Sequence, residues 1–174
     1  MQDSAPAVGD KKITVLGVGN ILLKDEGVGV RVVERLKEAY SFPENVTLMD
    51  GGTAGLDLLP FIEGMDHIIV VDTVKTSDPP GSIFRFTPED IDVKVPYKTS
   101  LHQIGMVEVF ALADALGKKI GQVVILGIQP EDISGWGLDL TDTIEAKVPR
   151  LMELVTGELE ALGVKCTKYL SAKA

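Results

Sequence analysis

The stretch Val15-Leu16-Gly17-Val18-Gly19-Asn20-Ile21-Leu22-Leu23-Lys24-Asp25-Glu26-Gly27-Val28-Gly29-Val30 leaves this chain few folds to choose from. An aliphatic run ends in Gly-x-Gly, a short polar loop follows with two adjacent carboxylates, and a second Gly-x-Gly opens a helical pattern. Strand, glycine-rich loop and helix in that order form the opening unit of a parallel α/β sheet. Its acidic groups then fall at the sheet edge where such domains keep their chemistry.

The remaining segments continue the alternation. Lys12 to Gly17 reads as a central strand, apolar on both faces, and Gly27 to Tyr40 as a helix burying Val28, Val32, Leu36 and Ala39. Pro43 is expected to end that helix. Val46 to Met49 is a second strand running into Asp50-Gly51-Gly52-Thr53-Ala54-Gly55, and Leu56 to Ile62 a short apolar helix. Glycine at this density marks special backbone conformations or close approach to the main chain.

His67 to Asp72 is a buried strand ending in a carboxylate, and Ser82 to Phe86 alternates as an edge strand does. Thr87 to Tyr97 reads as a mixed loop or a short strand. Leu101 to Leu116 reads as a helix, with Ser100 as its cap, His102 in its first turn, and Ile104, Val107, Phe110 or Ala111, and Leu112 inward. Gly121 to Ile128 is a further strand, Glu131 to Leu140 a loop around Trp136, and Thr141 to Leu162 a helix that Pro149 should break or bend. The expected architecture is a three-layer α/β/α domain with a central, mostly parallel twisted sheet. Residues 1–11 are expected to form a flexible leader, 12–166 a single α/β domain and 167–174 a C-terminal tail.

Charge and composition narrow the function. The formal net charge of -9 offers no basic stripe for nucleic acid and disfavours an anionic membrane surface. No apolar run approaches the roughly 20 residues that span a bilayer. With Cys166 as the single cysteine there is no intrachain disulfide and no thiolate metal cluster. No secretory signal pattern opens the chain, so a cytoplasmic protein without membrane insertion is expected.

A nucleotide site is not expected. Gly17-x-Gly19 follows a strand and Asp50 ends the next, but Leu22 stands where the dinucleotide fingerprint needs its third glycine. Asp25 and Glu26 would also repel a pyrophosphate. Nucleophilic proteolysis lacks its motifs: there is no Gly-x-Ser-x-Gly elbow and no His-Glu-x-x-His helix. Hydrolysis by this chain therefore has to rely on a metal ion or on carboxylate acid–base chemistry.

Topology brings Glu26, Asp72 and His102 toward one edge of the sheet. Two carboxylates and an imidazole suit a borderline divalent cation and leave a position open. The plainer alternatives are a strand-end Asp serving as a local hydrogen-bond acceptor and a surface histidine in a first helical turn. Asp25 is either a group that orients a ligand or handles a proton, or the cap of its turn. His67, at the opposite end of its strand from Asp72, reads as structural. Trp136 reads as a partner contact or as cover for a core edge.

Taken together, Gly17-Val18-Gly19-Asn20-Ile21-Leu22, Asp25-Glu26-Gly27-Val28-Gly29, Asp50-Gly51-Gly52-Thr53-x-Gly55, strand-ending Asp72 and Ser100-Leu101-His102 give the chain a family resemblance. It resembles the hydrogenase maturation proteases, endopeptidases that remove a C-terminal extension from the large-subunit precursor of nickel–iron hydrogenases. The resemblance runs from about Ile13 to Leu162.

It implies that Glu26, Asp72 and His102 contact a metal and that the metal is nickel already inserted in the bound precursor. It also implies that Asp25, Glu26, Asp72 and His102 form the catalytic set, and that Asp50, Gly51, Gly52, Thr53 and Gly55 line the substrate cleft. Thr99-Ser100-Leu101 departs from relatives that carry a proline before the histidine. The competing expectation is a non-catalytic chaperone that senses nickel in the same precursor. A phosphorylase or a peptidyl-tRNA hydrolase of similar architecture is a further alternative, and the latter would need a basic cleft, which this acidic chain does not provide.

Overall fold

Strands whose residues alternate between two apolar faces can be buried only between two layers of helices, and the central strands here do so. Ile13 and Val15, Ile69 and Val71, and Leu126 and Ile128 point into one core. Leu16, Ile68, Val70 and Ile125 point into the other. The protein is described from a computed structural model, over residues 11–90 and 106–169.

Five strands form the main sheet: β1 (Ile13–Val18), β3 (Val46–Gly52), β4 (His67–Thr73), β5 (Ile83–Phe86) and β6 (Gln122–Ile128). Their spatial order is β3-β1-β4-β6-β5. All neighbours are parallel except β5, which runs antiparallel to β6 at the edge. One face is covered by α1 (Val28–Ala39), through Val28, Val32, Val33 and Leu36, and by α4 (Asp142–Glu145) and α5 (Val148–Ala161), through Ile144, Val148, Leu151, Val155 and Leu159. The other face is covered by α2 (Leu59–Ile62) and α3 (Met106–Ala115). Each fully buried Val or Leu contributes about 1.5–3 kcal/mol of transfer free energy, so the two layers hold the sheet from both sides. The expected mixed, mostly parallel three-layer fold is the observed one.

The strand order locates the site. The chain leaves β1 through α1 and returns at β3, on one side of β1. From β4, on the other side of β1, it moves away toward β5 and β6. Connections that diverge in this way open a crevice beyond the carboxyl ends of β1 and β4.

Several boundaries differ from the expected ones. Helix α1 stops at Ala39, before Pro43 can act, because Tyr40 turns extended and β2 (Tyr40–Ser41) pairs antiparallel with β7 (Thr167–Lys168). The inward face of α3 is Met106, Val109, Phe110 and Ala113, an i, i+3, i+4, i+7 stripe, whereas Ala111 and Leu112 face outward. The last helical stretch splits at Ala146–Lys147, which puts Pro149 in the first turn of α5, where its missing N–H costs nothing. Residues 1–10 of the expected leader 1–11, residues 91–97 of the Thr87–Tyr97 segment, the Ser100 cap, Ile104 and the start of the Leu101 helix lie outside the described residues, as do residues 170–174 and the side chain of Val107.

Candidate functional site

Glycines draw the site together by letting backbone meet backbone. A Cβ on Gly29 would stand 2.1 Å from the Val71 carbonyl oxygen and 2.4 Å from that of Val18. One on Gly17 would stand 2.2 Å from the Gly29 oxygen. The first turn of α1 therefore lies directly on the ends of β1 and β4. Gly19, at φ +135°, is pressed on the other side, since a Cβ there would reach 1.7 Å from the Glu26 oxygen. Its N–H donates to the Gly52 carbonyl at 2.9 Å, which brings the Asp50–Gly55 loop beside the same turn. Glu26 is thereby held on a short 3-10 turn, Lys24–Gly27, directly over the crevice, and is only 7% exposed.

Asp72 reaches the crevice from the end of β4, opposite Gly127 of β6. Its Oδ1 accepts a hydrogen bond from the Thr73 N–H at 2.7 Å. Burial pushes the Asp72 carboxyl up to about 7, and the neighbouring Glu26 charge pushes the same way, while the Thr73 amide pulls against them. Two acidic groups thus face one crevice, one of them holding its proton near neutrality. Among the described residues, no lysine or arginine pairs with either. Two neighbouring carboxyl groups are suitable hard ligands for a divalent metal.

His102, the third expected ligand, lies outside the described residues. Among those described, no group of three or more His, Cys, Asp and Glu side chains gathers in a metal-binding arrangement.

Asp25 does something the sequence did not reveal. Its side chain is fully buried and turned away from solvent into the 131–141 loop. Oδ2 accepts from the amides of Glu131 (3.0 Å) and Asp132 (2.8 Å) and from the Thr141 hydroxyl (3.0 Å). Oδ1 accepts from the Thr141 amide at 2.7 Å. Thr141 in turn caps α4 by accepting from the Ile144 N–H. Backbone N–H groups answer the buried charge, and the carboxylate clamps one loop to the other. Lys24, at φ +52°, adds an ion pair to Asp132, and its amide donates to the Gly137 carbonyl at 2.9 Å. No local motif announces this role, because the partners lie more than a hundred residues away in the chain.

Asn has an acceptor on only one side of its amide. In the Asp25→Asn protein the NH2 must face either the Glu131 and Asp132 amides or the Thr141 amide, donor against donor. A loss of about 2–3 kcal/mol is expected, together with much faster hydrogen exchange at the amides of Glu131, Asp132 and Thr141. Unchanged protection there would show that the clamp is dispensable.

The glycine-rich Asp50–Gly55 segment divides into separate tasks. Asp50 is exposed and its Oδ1 accepts from the Gly52 amide at 2.8 Å, a local turn that Gly52 completes at φ +46°. Gly51 is buried, and a Cβ there would press on Leu16 at 2.8 Å. Thr53 is exposed, and Gly55 opens the short turn ahead of α2 with free space around it. His67 is buried at the far end of β4, its Nε2 3.5 Å from Lys11 Nζ. Burial and that lysine lower its pKa, against the pull of Asp66, as befits a neutral structural ring.

Fold and crevice define a doubly flanked α/β protein whose candidate chemistry rests on carboxylates at the topological switch point. Residues 30–158 match the family model described as "Hydrogenase maturation protease". The chain belongs to the hydrogenase maturation protease family. It is 37% identical over 164 residues to the hydrogenase expression/formation protein HupD of Rhodobacter capsulatus, covering 94% of this chain and 78% of that protein. It is also 37% identical over 155 residues to the hydrogenase 2 maturation protease of Escherichia coli K12, covering 88% of this chain and 94% of that one. The solved hydrogenase maturating endopeptidase HybD from E. coli superposes with a TM-score of 0.82 at 35% identity, over 90% of this chain and 97% of that structure.

Proposed function

We infer that this chain is an endopeptidase that removes the C-terminal extension of the large-subunit precursor of a nickel–iron hydrogenase once nickel has been inserted. Family membership supports the reaction and the partner, and the acidic pair Glu26–Asp72 in the crevice is the observation that carries the mechanism. Nickel arrives as part of the substrate. Glu26 and Asp72, with His102 as the expected third contact, would meet it there, so an unloaded precursor would be bound poorly. Asp72, protonated in part near neutrality, can hold or release a proton beside the scissile bond, with the Glu26 carboxyl group as its neighbour.

Asp25 acts as a positioning residue in this reading, because its hydrogen bonds hold the turn that carries Glu26. The Asp50–Gly55 segment, tied to Gly19 and exposed at Asp50, Thr53 and Ala54, is suited to receive an extended peptide. A cytoplasmic site of action fits the reading. Among the described residues, no helix is long and apolar enough to cross a membrane.

The decisive measurement is intact mass after incubation with nickel-loaded and nickel-free precursor. Loss of the extension from the loaded form alone is the expected result. A stable complex without shortening would instead identify a nickel-sensing chaperone. In the same assay Glu26→Gln and His102→Ala are each expected to slow processing by at least about 100-fold, the scale on which removing one group that acts in the transition state is felt. Processing at the natural rate by either variant would remove that residue from the site.

A further inference from the structure

Large apolar side chains stand exposed on the same two loops that frame the crevice. Trp136 is 81% exposed and Leu138 60%, with Ile21 and Leu22 also open to solvent. They form one surface. The Gly137 amide donates to the Leu22 carbonyl at 2.9 Å, and a parallel bridge joins Leu23 to Gly137, so the register sets Leu22 beside Trp136. The Arg31 guanidinium holds the Leu138 carbonyl at 3.2 Å. Gly137 is seated against the Lys24 side chain, where a Cβ would come within 2.7 Å.

The loops are thus ordered before anything binds, which spares an incoming partner the entropy of arranging them. Exposed acidic residues, Glu131, Asp139 and Asp142, surround the patch in sequence. Apolar side chains of this size displayed on a hydrogen-bonded frame, with exposed acidic residues close by in the chain, fit a protein-docking surface.

We propose that Ile21, Leu22, Trp136 and Leu138 form a docking surface for the folded body of the precursor, distinct from the crevice that takes its scissile segment. The occupant presents an apolar patch edged by lysine or arginine. The assignment rests on the endopeptidase reading above. It follows from continuity: the backbone that displays Leu22 runs within four residues into Glu26, and the loop displaying Trp136 is the one clamped by Asp25. A substrate whose cleavage site reaches Glu26 has to pass over this rim. Docking there would let the enzyme choose a folded precursor over an arbitrary peptide.

The test compares the natural protein with the Trp136→Ala/Leu138→Ala double variant on full-length nickel-loaded precursor. Because both side chains are exposed, the variant should melt as the natural protein does. KM is expected to rise about 30-fold or more, the loss typical of truncating a central aromatic anchor, with kcat within about twofold. KM for the natural protein should also rise with ionic strength, as attraction between the acidic rim and a basic counter-surface is screened.

An unchanged KM while the natural protein processes normally would overturn the docking surface alone. Failure of the natural protein to cut loaded precursor would overturn the endopeptidase reading and the docking surface with it. A natural protein that self-associates on a sizing column, with the double variant monomeric, would assign the patch to a second copy of this chain and also overturn the proposal.

Discussion

At pH 8 and without nickel, the Asp72→Asn protein is expected to melt higher than the natural one while losing the ability to process precursor. Burial raises the Asp72 carboxyl from the usual carboxylate range to about 7 in the folded protein, whereas the unfolded chain releases that proton near 3.8. Below about pH 4 both states are protonated and Asp72 costs nothing. Between about 4 and 7 the unfolded state sheds a proton that the folded state keeps, so stability falls as pH rises. Above 7 the penalty is constant. At about 1.4 kcal/mol per pKa unit, its full size is on the order of 4 kcal/mol.

Asn keeps an oxygen for the Thr73 amide and carries no charge, so the variant should escape this decline. For a chain of this length the gain corresponds to roughly 8–16 °C in Tm at pH 8, vanishing toward pH 4. Thermal melts of both proteins across that range are the check. Parallel pH curves would mean that Asp72 ionises normally and that the crevice is not the desolvated site described. The loss of processing belongs to the same cause, because a carboxyl held at an energetic cost in the empty enzyme is one whose charge a bound cation would stabilise.

Gly29→Ala should damage the protein more than any surface change. The added methyl would meet three backbone atoms, the oxygens of Val71 and Val18 and the amide nitrogen of Val18, at 2.1, 2.4 and 2.7 Å. No side chain can swing aside, so α1 has to lift from the sheet or the strands have to part. Overpacking costs about 1–3 kcal/mol where neighbours can yield; against backbone on three sides a loss at or above the top of that range is expected, with Tm lower by roughly 6–12 °C. Because Glu26 stands on the 3-10 turn that leads directly into this helix, processing should fall even well below the new Tm.

Gly157→Ala is the control. It sits inside α5 with nothing within 4 Å of a new Cβ, and the substitution should stabilise by about 0.5–1 kcal/mol through helix propensity alone. Equal melting temperatures for the two variants would mean that the helix is not seated as described.

The alternation of short aliphatic runs with helical periodicity was legible because it is local. Residues 15 and 16, or 68 and 69, each show by themselves that both faces of a strand are apolar. Asp72 at a strand end and Glu26 in a loop after a strand were likewise readable, since the carboxyl edge of a parallel sheet follows from chain direction alone. On α3, Leu112 faces out instead of in, and the choice between Phe110 and Ala111 falls to Phe110, which only what α3 packs against can decide.

Family motif and spacing set Asp25 beside Glu26 as though both faced substrate. Only the folded chain shows them parting, Glu26 toward the crevice and Asp25 into the amides of Glu131, Asp132 and Thr141. By itself, then, the sequence determined the layers, the direction of the sheet and the edge at which the acidic groups would gather, all consequences of periodicity over a few residues. The tertiary structure alone decided that the glycines serve backbone contact between α1 and the sheet, that Asp25 is a clamp, and that Trp136 stands beside Leu22. Those pairings join residues far apart in the chain, and their energies depend on distances that no local pattern records.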